Sequence, residues 1–266
     1  MTAINTNVGA LMARTNAKAA DAATTQQMRR LSSGLRVNSA ADDAAGLAVG
    51  NKLGAQLRGI EMGMRNSNDA IALLQTADAG YSTNINILQR MREIAVQMAN
   101  DIYTDADRIN ANLEYSELEL AATSVSDDTK FNSVALLAGA FKGTMRIGND
   151  DAELMTIILD DADAYAGGSI STQAAAITAV TALATAINAV SGSQADVGSY
   201  INRLQFNLSN LSQASVITEK TLGSIMDADY AKETSNLAKN QILSQAATSM
   251  LAQANQSKQS VLALLQ

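Results

Sequence analysis

The sequence predicts a mainly α protein: an antiparallel long-helix coiled-coil bundle formed by the N- and C-terminal halves, with a small β-hairpin region in the middle. Three observations predict it. The chain has no proline, where about 13 would be expected at about 5% usage, and proline breaks helices by removing a donor and clashing with the preceding turn. Both halves carry apolar residues at alternating spacings of four and three, the coiled-coil rhythm. Tryptophan is absent and aromatics make up only 3%, so the core must be Leu, Ile, Val, Met and Ala, which suits helix-on-helix packing.

The longest regular stretch begins after Asn38-Ser39. Ser39 is the expected cap, with Asp42 and Asp43 favourably placed in the first turn of the helix dipole. Leu53, Leu57, Ile60, Met64, Ser67, Ile71 and Leu74 open a stripe that continues from Tyr81 to Met98. A helix over 44–99 would be roughly 80 Å long. The glycines at 46, 50, 54, 59 and 63 weaken it locally and give room for a neighbouring helix to approach.

A second helix is expected over 105–126, carrying Ile109, Leu113, Leu118 and Leu120, until Phe131-Asn132-Ser133 breaks the period. The stretch 144–159 reads as a β-hairpin with its turn at Gly148-Asn149-Asp150, and Gly167-Gly168-Ser169 closes this middle region. Helical pattern resumes near Thr172. Val197, Ile201, Leu204, Leu208 and Leu211 keep four-three spacing, and Leu243, Ala247, Met250, Ala254 and Val261 carry the same rhythm towards the end. The two halves mirror each other, and their simplest packing is side by side and antiparallel, with both termini together.

Composition excludes several function classes. Without histidine there can be no Ser-His-Asp triad, Cys-His pair or H-E-x-x-H zinc motif. Without cysteine there are no disulfides or thiolate metal sites. A net charge of −7 argues against nucleic acid as a partner. Between residues 101 and 163 lie 14 acidic and 4 basic residues, against 12 acidic and 15 basic elsewhere, so the middle is the strongly solvated part. No run of about 18 apolar residues suggests a membrane span. The N-terminus lacks the apolar core of a signal peptide, so any export would bypass the general secretory route. No enzyme, cofactor or metal is expected.

The termini are unusual for a monomer. From residue 238 to 266 the only charges are Lys239 and Lys258. Helices so poor in charge fit burial against other helices better than solvation. Alone they bury too little apolar area to offset an ordering cost of about 1–2 kcal/mol per residue. The expectation is a self-assembling subunit whose ends order on assembly.

Particular stretches resemble a known family. Leu31-Ser-Ser-Gly-Leu-Arg-Val-Asn-Ser-Ala-Ala-Asp-Asp-Ala-Ala-Gly-Leu47 resembles the N-terminal signature of bacterial flagellins, and Leu88-Gln-Arg-Met-Arg-Glu-Ile-Ala-Val-Gln97 and Phe131-Asn132 extend the likeness. Asp227-Ala-Asp-Tyr230, Gln241-Ile-Leu-Ser-Gln-Ala-Ala-Thr-Ser-Met-Leu-Ala-Gln-Ala-Asn-Gln256 and the ending Val261-Leu-Ala-Leu-Leu-Gln266 resemble the C-terminal signature. The resemblance covers about 1–160 and 195–266, in order.

It implies a structural subunit of the flagellar filament, secreted unfolded through the type III export apparatus to an extracellular filament that drives swimming. Its implied partners are many copies of itself, the export apparatus, a secretion chaperone, and the filament cap and hook-junction proteins. Residues 1–34 and 235–266 would be terminal helices of an inner tube. Residues 35–139 and 190–234 would form the long-helix bundle of an outer tube, and 140–189 a short outward variable region. The alternative is a hook–filament junction protein of similar architecture, and the strong C-terminal signature favours the filament subunit. A monomeric adhesin or receptor ligand would gain nothing from the uncharged ends.

Assembly residues are expected in the terminal stripes. On the N-terminal side these are Ile4, Val8, Leu11, Leu31 and Leu35; on the C-terminal side they are Leu243, Met250, Val261, Leu264 and Leu265. Leu88, Gln89, Arg90 and Glu114 match positions where an animal innate-immune receptor recognises some flagellins; the plainer reading makes Arg90 and Arg92 helix-face charges serving lateral contacts. Asp150, Asp151, Glu153, Asp160, Asp161 and Asp163 lack EF-hand spacing and read as a solvated face. Asp42 and Asp43 are helix-initiating, since adjacent helical carboxylates do not face each other.

Overall fold

A computed structural model describes residues 6–150, 152–163, 165 and 167–263, with the side chains of 261–263 left aside. Among the described residues, five helices and four short strands follow in the order α1 (Val8–Ser33), α2 (Ala44–Met98), α3 (Asp105–Asp128), β1 (Lys130–Phe131), β2 (Val134–Ala135), β3 (Phe141–Arg146), β4 (Leu154–Leu159), α4 (Gln173–Met226) and α5 (Tyr230–Ala263). The chain packs as two compact units, Met1–Gln56 with Ile217–Gln266, and Leu57–Val216.

In the first unit, Asn7 caps α1 by accepting from the Ala10 N–H at 3.1 Å. The helix stops at Gly34, whose left-handed φ of 72° costs a glycine little. The chain then pairs with the break between α4 and α5. The Arg36 N–H donates to the Met226 carbonyl at 2.7 Å and the Ala228 N–H to Gly34 at 2.9 Å. The start of α2 corrects one expectation. Asp43, not Ser39, caps it, accepting from the Gly46 N–H at 2.8 Å. Ser39 instead donates its N–H and hydroxyl to Asp42, and that hydroxyl foremost holds the Asp42 carboxyl below its ordinary value.

In the second unit α2 and α4 lie antiparallel. Gln194 donates to Asp78 at 2.9 Å and Asn207 to Ser67 at 3.4 Å, so rising numbers on one helix meet falling numbers on the other. The expected stripe forms the core: Leu74, Tyr81, Leu88 and Met91 of α2 are buried with Leu183, Val190, Val197 and Leu204 of α4. By length and composition α4 contains a window that could cross a membrane, with a mean hydropathy of 1.6, contrary to the expectation of no span, because polar residues interrupt its apolar ones. Ala176, Ala179, Leu183 and Ala186 within this region pack into the core, so its apolarity includes helix packing.

Helix α3 turns an unexpected face inward. It occupies the expected span and starts with a capping box between Thr104 and Asp107. Yet Ile109, Leu113 and Leu120 are exposed, while Arg108, Tyr115 and Ala122 are buried. The Tyr115 hydroxyl meets that of Tyr165. The buried Arg108 guanidinium donates to the carbonyls of Met98 and Asn100 at 2.9 and 3.0 Å and to Asp105 at 2.9 Å, closing the C-terminus of α2.

The predicted hairpin is present, with its first strand beginning three residues earlier than expected, at Phe141. Pairing runs from Phe141 with Leu159 to Arg146 with Leu154. Met155, Ile157 and Leu159 point into the core while Leu154 and Ile158 face out, the two-residue alternation of a half-buried strand. Its turn rests on α2. A side chain at Gly63 would meet the Gly148 backbone at 3.1 Å, and Asn66 and Asn207 donate to the carbonyls of Arg146 and Ile147, both at 2.9 Å. Here a glycine expected to admit a helix admits a hairpin turn.

Gly63→Ala should therefore lower the stability of the isolated subunit by about 1–3 kcal/mol, because turn backbone must give way. Gly54 has nothing within 4 Å, so Gly54→Ala should raise stability by up to about 1 kcal/mol through helix propensity alone. Thermal unfolding of the two variants checks the opposite signs.

Candidate assembly surface

Helices α1 and α5 pair antiparallel in the first unit. Their register is fixed by Asn7 donating to the Ala254 carbonyl at 3.1 Å, Ser244 to Asp21 at 2.7 Å and Asn240 to Gln27 at 2.9 Å. Near the α1 C-terminus Arg30 meets Glu233 at 3.2 Å. Glu233 is buried, and both its Oε2 and the Arg30 Nε are enclosed without a hydrogen-bond partner, so a single bond holds a pair that has atoms for two.

The two helices touch through small residues. Among the described side chains, Ala13, Ala20 and Ala247 are the buried apolar ones of the pair. Several large ones stand outward: Val8, Leu11, Ile242 and Leu243 are exposed, as are Met12 at 65% and Met250 at 64%, while Leu237 and Leu251 are half-buried. Between them runs a groove of about 830 Å³ whose walls include Met12, Ala13, Ala20, Leu243, Ala247 and Met250. Alanine contacts bring the helix backbones close, and the same close approach keeps long side chains out of the seam. The result is an apolar surface with the wrong residues outside for a solvated helix pair.

The expected assembly residues divide accordingly. Leu243 and Met250 line the groove, and Val8 and Leu11 are exposed on α1. Leu31 and Leu35 lie elsewhere, half-buried where the end of α1 meets the α4–α5 break. The Leu31 carbonyl accepts from the Tyr230 hydroxyl at 2.6 Å, and Leu35 forms a β-bridge with Asp227. Ile4, Leu264 and Leu265 lie outside the described residues, and Val261 is described only as backbone of α5. Sequence reasoning passed over Met12 and the alanine seam, although Ala13 and Ala20, seven apart, carry the helical repeat.

In the second unit Arg90 gathers two carboxylates. Its Nη2 and Nε donate to Glu114 at 2.8 and 3.2 Å, and its Nη1 to Glu93 at 3.2 Å. Glu114 first, then Glu93, pushes the Arg90 guanidinium above its ordinary value. Gln89 is exposed beside it. Leu88 stands apart: at 1% exposure it belongs to the core stripe.

The acidic middle forms no cage. Asp161 accepts from Ser126 at 3.2 Å and from the Asp163 N–H at 2.8 Å. Burial, then the negative charges of Asp161 and Asp127, raise the Asp163 carboxyl above its ordinary value. Asp151 lies outside the described residues, and among those described no cluster of three His, Cys, Asp or Glu could hold a metal ion.

Two family models match the chain: the bacterial flagellin N-terminal helical region over residues 4–142 and the bacterial flagellin C-terminal helical region over residues 180–265. The chain is 39% identical over 245 residues to a flagellin of Halalkalibacterium halodurans, covering 90% of each. It is 38% identical over 303 residues to a flagellin of Bacillus subtilis, covering 98% of this chain and 99% of that one. A solved Vibrio parahaemolyticus chain named "putative flagellar hook-associated protein" has a similar fold, with a TM-score of 0.61 at 15% identity, covering 70% of this chain and all of the other.

Proposed function

This chain belongs to the bacterial flagellin family and is a structural subunit of the flagellar filament, not an enzyme; from that premise we propose that its terminal helices are a half-built core that neighbouring copies complete. The observation that carries this reading is the inverted α1/α5 pair, with alanines in its seam and Leu11, Met12 and Met250 outside. Each such side chain, once covered, contributes about 1.5–3 kcal/mol. In an isolated subunit that gain is missing, while ordering still costs about 1–2 kcal/mol per residue. Folding of the ends is thereby coupled to docking.

In this reading residues 1–34 and 235–266 line an inner tube, 35–139 and 190–234 form an outer tube around it, and 140–189 face outward. Ends that stay loose suit passage through a type III export channel to an extracellular filament. In this reading the chain meets its secretion chaperone before export, and its cap and junction partners at the filament. The extended likeness to flagellins across both terminal regions supports the filament subunit over a junction protein.

Hydrogen exchange tests the coupling. Amides of α1 and α5 should exchange at least about 100-fold faster in the monomer than in the filament, the factor for roughly 3 kcal/mol of added protection. Equal protection in both states defeats the reading.

The exposed Arg90–Glu114 pair, with Gln89, also suits recognition of the free subunit by an animal innate-immune receptor. Arg90→Ala with Glu114→Ala should weaken signalling by monomer about tenfold, the equivalent of 1.4 kcal/mol. An unchanged dose response removes this role.

A further inference from the structure

Two of the eleven methionines stand on the assembly surface itself. Met12 and Met250 both line the groove between α1 and α5. The bonds from Asn7 to Ala254 and from Ser244 to Asp21 fix a register that brings position 12 level with position 250. Met91, Met98 and Met155 are buried in the second unit, whereas Met28 and Met62 are exposed and lie outside the groove walls. With no cysteine in the chain, thioethers are its only sulfur, and their oxidation follows exposure.

We propose that Met12 and Met250 form an oxidation site that governs assembly, modified by hydroperoxide in the free subunit and shielded once a second copy covers the groove. The proposal rests on the reading of that groove as the assembly surface. A sulfur lone pair attacks one peroxide oxygen; the S–O bond forms as the O–O bond breaks. The proton on the attacked oxygen passes to the second oxygen, which leaves as water from hydrogen peroxide and as an alcohol from an organic hydroperoxide. Sulfur is oxidised by two electrons and the peroxide reduced by two.

The sulfoxide product is polar and chiral on a surface whose neighbours are Ala13, Ala247 and Leu243. Asn16, Asn240, Gln253 and Ser257 also line the groove, so the penalty arises where a covering copy sets apolar side chains against the new oxygen and strips its water without supplying a donor. In solvent the oxygen stays hydrated, which leaves the subunit folded and selectively opposes docking. Methionine sulfoxide reductases reverse the step.

The test treats purified full-length monomer with hydrogen peroxide, maps sulfoxides by peptide mass spectrometry and follows polymerisation by light scattering. Met12 and Met250 should convert at least about tenfold faster than Met91 and Met155. Polymerisation should fall with their conversion rather than with that of Met28 or Met62, and return after treatment with both reductases. Preformed filaments should show both residues protected. For Met12→Leu/Met250→Leu the comparison is treated against untreated protein, and that ratio should be near one whatever the variant's own rate.

Full conversion at both sites with undiminished polymerisation overturns the proposal. So does equal peroxide sensitivity of the double variant, or loss of the far-ultraviolet helical signal on oxidation. Failure of the underlying reading looks different: a chain lacking residues 235–266 would still polymerise. If truncation abolishes polymerisation and oxidation does not change it, only the methionine proposal falls.

Discussion

A chain ending at residue 234 should form no filaments under conditions where the full chain does, while its second unit stays folded. The truncation removes Leu243 and Met250 from the groove and nearly all of α5 (Tyr230–Ala263). With it go the partners of Asn7, Asp21 and Gln27 on α1. Burying the two large side chains in an assembly is worth about 1.5–3 kcal/mol each, so losing both raises the concentration needed for growth by more than about 100-fold. The loss of α1's own partner adds to that. Electron microscopy with sedimentation measures polymer, and circular dichroism measures the remaining helix. The core of Leu74, Tyr81, Leu183 and Val190 contains no residue from the deleted segment, so cooperative unfolding should persist. Filaments of ordinary length from the truncated chain would overturn the assembly reading.

The second large effect is expected within the second unit. Arg108→Ala should destabilise the second unit by about 3 kcal/mol, since charged hydrogen bonds are worth roughly 1.5–3 kcal/mol each and buried carbonyls left bare cost more. Arg108 is only 5% exposed, and its guanidinium satisfies Met98 and Asn100 while bridging to Asp105. Gln173 reaches the neighbouring Ala99 carbonyl at 3.2 Å but cannot serve the other two. For a unit of this size the midpoint should fall by about 6–12 °C. Arg108→Lys should recover little, because an ammonium lacks the planar fork that spans several acceptors. Thermal and urea unfolding of monomer measure both; a Lys variant as stable as the parent would show that charge alone suffices.

The long helices were legible because their information is local and repeated. A heptad stripe from Leu53 to Met98 declares its buried face whatever it packs against, and Tyr81, Leu88 and Met91 are buried as that stripe requires. Helix α3 carries apolar residues on its outer side too, at Ile109, Leu113 and Leu120. Its inward face is chosen by Arg108 and Tyr115, whose partners lie on α2 and in the loop holding Tyr165. Neither partner follows from spacing.

The cap of α2 differs from the expected one for a narrower reason: Ser39 and Asp43 are both good capping residues, and four positions decide between them. In the groove between α1 and α5, Leu243 and Met250 are readable as stripe positions. The inversion that puts alanines inside and long side chains outside is not, because it depends on how closely two helix backbones approach. The Arg30–Glu233 pair joins residues 203 apart in sequence, a separation that no local pattern encodes.

The bond from Asn7 to Ala254 spans 247 positions, nearly the whole polypeptide. Closing a loop of that length costs about 5 kcal/mol in chain entropy, so the contact is among the most non-local the molecule makes. It also orders events in time. A ribosome that has made α1 has nothing yet for it to clasp, and a message cut short never supplies the mate. Only a chain translated through α5 can offer α1 its antiparallel mate, so α1 stays without that partner for most of the chain's synthesis.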